Sequence, residues 1–138
     1  LISEPKCLSR PLYGFENTEH TINNEGPYAF YYHNKIYLAY SGGDARGYLY
    51  AIGMLTANDG DDLCDLSVWE KAKTPIASFA TIPGEYGPGH NSFFWDRDQN
   101  LWIAYHAVTS FEEKIVSSGM RRVYFEQDKT PRFDVIVE

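Results

Sequence analysis

Glu25 stands directly before Gly26-Pro27 in the stretch TINNEGPYAFYYHNKIYLAY, at the start of a strand-like run crowded with aromatic side chains. A carboxylate at the mouth of such a strand is either a solvated loop charge, the ordinary state of an acid bordering a strand, or a group placed for proton transfer. Gly26-Pro27 has a mechanical reading. Proline fixes its own φ and biases the residue before it toward extended geometry, which sets the direction of entry into the strand. His90 in YGPGHN is the second position singled out, with Tyr86 and Asn91 beside it; read from the residue alone, it is a hydrogen-bond partner of a backbone carbonyl or carboxylate. Three more carboxylates read as solvated loop charges: Asp44 in SGGDARG, Glu85 after Pro83-Gly84, and Asp96 at the head of DRDQN. His106 follows an apolar run and reads as a buttress, while His20 and His33 read as loop residues. The loop NDGDDLCD is rich in acids but does not follow the calcium-loop spacing D-x-[DN]-x-[DN]-G. It reads as a capped turn before Trp69, with Asp65 or Ser67 satisfying backbone N–H groups.

The elements that must position these groups are legible as a repeat. GPYAFYYHNKIYLAYSG, from Gly26, resembles GPGHNSFFWDRDQNLWIAYHA, from Gly87. Each copy opens on Gly-Pro, runs into an aromatic triplet, turns through a polar loop (HNK or DRDQN) and returns along an apolar strand, IYLAY or LWIAY. Both read as antiparallel hairpins. A third strand is expected in GYLYAIGMLTA and an outermost fourth in VWEKAKTPIA. Four antiparallel strands per repeat is the plan of a β-propeller blade. The expected fold is therefore all-β, a single incomplete propeller domain over 1–138, with one blade over about 25–80 and the final blade region over about 86–138. Trp69 is expected to pack between blades. A β-sandwich also uses short strands with frequent turns, and the repeat is what favours the propeller. SFEEKIVSSGM has slight helical character that Ser-Ser-Gly cuts short, and it reads as a loop. Two blades and part of a third cannot close a ring, since closed propellers take about four to eight. The remaining blades are expected from another segment or from self-association.

Composition limits the partners. The chain has 138 residues, enough for one domain, and 16% aromatic residues with 11 Gly and 7 Pro suit short strands and tight turns. A net charge of −7, with Lys and Arg dispersed, argues against nucleic acid and for a neutral or polar ligand. No apolar run is long enough for a membrane span, and LISEPKCLSRPLYGF lacks the two regions of a signal peptide, so it reads as a mid-protein segment. The compartment stays open, secreted or cytoplasmic. Cys7 and Cys64 suit neither a disulfide scaffold nor a zinc site. They read as small apolar residues, with one bridge between them as the alternative.

NNEGPYAFYYHNKIYLAYSG, SVWEKAKTPI, YGPGHNSFFWDRDQNLWIAYHA and VYFEQDKTPRF together resemble the C-terminal part of glycoside hydrolase family 43. The resemblance runs from about Phe15 to Phe133. It implies a five-bladed propeller acting on arabinose- or xylose-containing plant polysaccharides, as an arabinofuranosidase or xylosidase. It makes Glu25 the general acid of an inverting hydrolysis and assigns a general base and a pKa modulator to two Asp residues of earlier blades. Neither Asp has a counterpart among the residues before Glu25. His90 is implied near the propeller axis at a metal ion, usually calcium. Tyr28, Tyr86, Asn91 and Arg121 are the implied substrate contacts, although Arg121 is not at the family's usual spacing and could equally pair with Glu25 or be a solvated edge charge. Tyr28 and Phe94 are candidates to stack on sugar faces. The rival readings are a catalytically inactive carbohydrate-binding or assembly module, and a self-associating structural protein.

Overall fold

Two antiparallel sheets form the main body: burial alternates cleanly along Leu101–Ala107, whereas Ala51–Leu55 is buried on both faces. A computed structural model describes residues 4–110, 112 and 115–133. The short hairpin β1 (Asn17–Thr18) and β2 (Thr21–Ile22) leads into β3 (Asn24–Tyr32), β4 (Lys35–Gly42), β5 (Ala51–Asn58) and β6 (Glu70–Lys71), which pair in that order as one four-stranded sheet. The second sheet joins β7 (Tyr86–Trp95), β8 (Leu101–Ser110) and β9 (Ile115–Arg122). A separate hairpin of β10 (Tyr124–Phe125) and β11 (Pro131–Arg132) follows. All pairings are antiparallel.

Both repeated hairpins form where the repeat places them. Tyr32 pairs with Lys35 across a two-residue turn in which His33 (φ 46°) and Asn34 (φ 62°) are both left-handed, the geometry that matches the twist of the flanking strands. The expected fourth strand is real but only two residues long, and the second sheet has three strands among the described residues rather than four. Part of the expected loop is also a strand: Ile115–Arg122 pairs along β8. Edge pairing to a fully formed strand outweighs the weak local preference of Ser-Ser-Gly. Phe111, Glu113 and Lys114, from the same stretch, lie outside the described residues.

The core fills the space between the two sheets. Phe30, Tyr37, Ala39, Ile52 and Met54 from the first sheet meet Phe93, Leu101, Ile103, Tyr105 and Ala107 from the second. Phe30 lies with its ring centroid 4.9 Å from Tyr37 and 4.5 Å from Phe93. Each large side chain buried this way contributes about 1.5–3 kcal/mol. Trp69 lies outside this cluster, half-buried, with its indole N–H donating to Leu63 O at 3.1 Å. Its short strand-flanking loop keeps it at the periphery. Cys7 and Cys64 are free and exposed, neither bridged nor packed as apolar residues.

The N-terminal segment is clasped to the first sheet by a buried acid. Glu16 is 0% exposed and accepts hydrogen bonds from Leu12 N (2.7 Å), Tyr13 N (2.8 Å) and the Tyr40 hydroxyl (2.8 Å). The Lys71 ammonium lies 2.5 Å from Oε1, the oxygen that Tyr40 also bonds, and sits over the rings of Tyr13 and Tyr40, while also donating to Arg10 O. Burial by itself would raise the Glu16 pKa, but Lys71 and the three hydrogen-bond donors together hold it below the ordinary carboxylate value.

Candidate active site

Glu25 sits at a β-bulge. The register between β3 and β4 shifts between Glu25 and Tyr28, and Gly26 takes φ +54° there. Gly26 is thus left-handed rather than biased to extended geometry by Pro27. A glycine tolerates this because it has no Cβ to clash, and the extra residue re-aims the side chain before it. The second Gly-Pro repeats the device: Gly87 also has φ +54°, and β7 shifts register on both sides of Gly89. Glu25 is half-buried and borders a cleft of about 280 Å³ lined by Ser9, Asn24, Pro27, Leu38, Tyr40 and Leu55, among others.

The carboxylate meets a group that lies far from it in the chain. The hydroxyl of Tyr50, a residue 0% exposed, donates to Glu25 Oε1 at 2.6 Å. Burial, followed by the hydrogen bond to the Glu25 carboxylate, pushes the Tyr50 phenol well above its usual range. Its ring lies parallel to that of His106, with centroids 5.6 Å apart, and His106 in turn lies 6.3 Å from the His90 ring. The three rings form a column across the seam between the sheets. Burial is the main cause lowering the His106 pKa; a hydrogen bond involving the Ala45 backbone opposes it, and smaller effects of opposite sign come from His90 (lowering) and Glu25 (raising).

His90 packs against Gly26 and occupies a left-handed backbone position (φ 51°), uncommon for a residue with a side chain. Its backbone N–H donates to the buried Ser41 hydroxyl at 2.7 Å, and Ser41 faces Glu25 across β3 and β4. His90, more than one repeat away in sequence, is therefore brought beside the bulge that carries Glu25. Among the described residues no group of three or more His, Cys, Asp and Glu is arranged to hold a metal ion. Calcium takes about six to eight oxygen ligands, which one imidazole does not supply.

The remaining candidates are placed as follows. Asn91 is 5% exposed, and both of its amide atoms are buried without a hydrogen-bond partner among the described residues. Tyr28 is 42% exposed, its ring 5.9 Å from that of Phe93, and Phe94 is also exposed. Tyr86 packs on Tyr48 with centroids 4.6 Å apart. Arg121 does not pair with Glu25 and is not a solvated edge charge. It donates to the Tyr105 hydroxyl (2.7 Å) and to Glu85 Oε1 (2.8 Å), and Tyr105 donates to Glu85 Oε2 (2.6 Å). Burial, then the Glu85 hydrogen bond, pushes the Tyr105 phenol up to about 12. Glu85 is thus a structural ion-pair partner instead of a solvated loop charge, because β9 brings Arg121 beside it.

Of the other loop acids, Asp44 and Asp65 keep to their loops, whereas Asp96 is partly buried and hydrogen-bonded, not a freely solvated charge. Asp44 accepts the Arg46 N–H. Asp96 gathers donors from Trp102, Asn100 and Asp98, which bring its pKa down to about 2. Asp65 accepts from both the N–H and hydroxyl of Ser67. Tyr50, Ser41, Glu16 and Lys71 escape sequence reading. Tyr50 is one aromatic in GYLYAIG with nothing local to mark it; the glycines at 87 and 89 are its only trace, and they look like turn residues.

The family model described as Glycosyl hydrolases family 43 matches residues 3–131. An extracellular exo-alpha-(1->5)-L-arabinofuranosidase of Streptomyces avermitilis is 30% identical over 96% of this chain, and one of Streptomyces chartreusis is 38% identical over 72%. The chain spans only 29% and 30% of the length of these two relatives. The crystal structure of an alpha-L-arabinofuranosidase from Lactobacillus brevis superposes with a TM-score of 0.85 at 29% identity, covering 96% of this chain and 43% of that one. Matched along nearly its whole described length, this all-β, propeller-like chain belongs to glycosyl hydrolases family 43.

Proposed function

We propose that Glu25 is the general acid of an inverting glycoside hydrolase acting on arabinose- or xylose-containing plant polysaccharides, with α-L-arabinofuranosides as the first substrates to test. The observation that carries this reading is the placement of Glu25: half-buried, at a cleft edge, on a glycine bulge that aims it, and hydrogen-bonded to a buried phenol. The arabinofuranosidase names of the relatives support the substrate class. In the reaction Glu25 gives its proton to the glycosidic oxygen as the C–O bond breaks, while water activated by a second carboxylate about 6.5–9.5 Å away attacks the opposite face of the sugar. That base, and the Asp that tunes the acid, come from blades outside this chain.

The two sheets are two blades of a five-bladed propeller, the first over about 25–80 and the last within 86–138. Tyr28 offers its exposed ring to a sugar face, and Tyr86 and Asn91 border the same channel. Arg121 reaches substrate only by leaving Glu85, so its contribution is expected to be the smallest of the set. A calcium ion at His90 would take most of its ligands from water or from the other blades.

The test is turnover of an aryl α-L-arabinofuranoside. The chain alone is expected to be inactive. The assembly that supplies the remaining blades is expected to be active and to lose that activity on Glu25→Gln. Sugar binding without turnover, unchanged by Glu25→Gln, would instead mark an inactive binding module. Concentration-dependent assembly with no sugar affinity, followed by light scattering, would mark a structural protein.

A further inference from the structure

The repeat contains an asymmetry. The second Gly-Pro keeps the backbone of the first, with the same φ at its glycine, yet has Tyr86 where the first has Glu25. We propose that Tyr50 is the positioning residue of Glu25, and that Gly87-Pro88-Gly89 is the seat that holds Tyr50 in place. This rests on the reading of Glu25 as the acid.

Tyr50 is enclosed on every side. A Cβ at Gly89 would overlap the Tyr50 ring, so the ring can lie there only because residue 89 has no side chain. A Cβ at Gly87 would strike the Gly47 carbonyl, and the Gly87 N–H is bonded to Tyr48 O at 3.0 Å, which anchors the turn leading into Tyr50. His106 lies parallel to the ring at 5.6 Å. A phenol buried this completely keeps its hydroxyl hydrogen-bonded, and Glu25 Oε1 is the acceptor at 2.6 Å.

The chemical consequence concerns which oxygen carries the proton. With Oε1 committed as acceptor of the Tyr50 O–H, a protonated Glu25 carries its hydrogen on Oε2. Rotation of the carboxyl is restricted by the short hydrogen bond from the buried Tyr50 hydroxyl, 2.6 Å from Oε1. The proton is thereby held in one orientation before substrate arrives, and no reorientation remains for the transition state. The acid is absent from the second motif because that copy serves as the seat.

Two measurements test this. In the chain labelled with 13C-tyrosine, the Cζ resonance assigned to Tyr50 by Tyr50→Phe is expected to move on Glu25→Gln and to stay put on Glu85→Gln, which touches Tyr105 instead. In the active assembly, Tyr50→Phe is expected to lower kcat on an arabinobiose about tenfold with little change in KM. Hydrolysis of the dinitrophenyl arabinofuranoside, whose leaving group needs no proton, should remain near wild type. A Tyr50 resonance indifferent to Glu25→Gln, or equal losses on both substrates, overturns the proposal. If Glu25→Ala itself shows no dependence on leaving group, the acid reading falls instead, and the resonance alone then decides whether Tyr50 orients this carboxylate.

Discussion

Replacing Lys71 by Met strands Glu16. In the wild type Glu16 is 0% exposed, ion-paired to Lys71 at 2.5 Å and bonded to Leu12 N, Tyr13 N and the Tyr40 hydroxyl. Methionine keeps the apolar stem of Lys71 but removes the only cation in this set, leaving a buried carboxylate with neutral donors alone. Breaking a buried pair from one side costs about 3–5 kcal/mol, and at roughly 3–4 °C per kcal/mol for a chain of this size the melting temperature at pH 7 should fall by about 10–20 °C. The loss should also depend on pH. The folded-state pKa of Glu16 is depressed, so its contribution is present above the ordinary carboxylate range and is lost as pH falls through the lower folded value. The gap between wild type and Lys71→Met should therefore shrink below about pH 4. Calorimetry at pH 7 and pH 3.5 measures both effects. A destabilisation under about 1 kcal/mol, the range of exposed pairs, or a gap that does not shrink in acid, would refute the clasp as an energetic feature.

Gly87→Ala places a side chain at φ +54° and against the Gly47 carbonyl. It should cost more than about 1–3 kcal/mol in chemical denaturation, since the obstruction is backbone and cannot swing away; a cost near zero would mean that the two turns are free to part. Asp96, with Trp102, Asn100 and Asp98 donating to it, should show a side-chain carboxyl titration at about 2 by NMR, and one at the ordinary Asp value would contradict this set of hydrogen bonds.

The hairpins were legible because their signals are local: alternating apolar residues on IYLAY and LWIAY, and turn residues able to take positive φ at His33-Asn34. Glu25 was singled out by the Gly-Pro beside it and by the family resemblance, and its placement beside His90 required the fold. Tyr50, Glu16 and the Glu85–Arg121 pair were invisible for a common reason. Each is defined by a partner tens of residues away, and nothing in its own neighbourhood departs from that of an ordinary core tyrosine or loop acid. Strand β9 was misread because Ser, Gly and charged residues are poor strand formers by composition, while a paired neighbour supplies the hydrogen bonds that override composition.

The central claim is that Glu25 donates the proton, and leaving-group dependence tests it most directly. In the active assembly, Glu25→Ala should lower kcat/KM on an arabinobiose by about 10²–10⁴, while hydrolysis of a dinitrophenyl arabinofuranoside, which departs without protonation, stays close to wild type. Equal losses on the two substrates, or full activity of Glu25→Ala on the disaccharide, would contradict it.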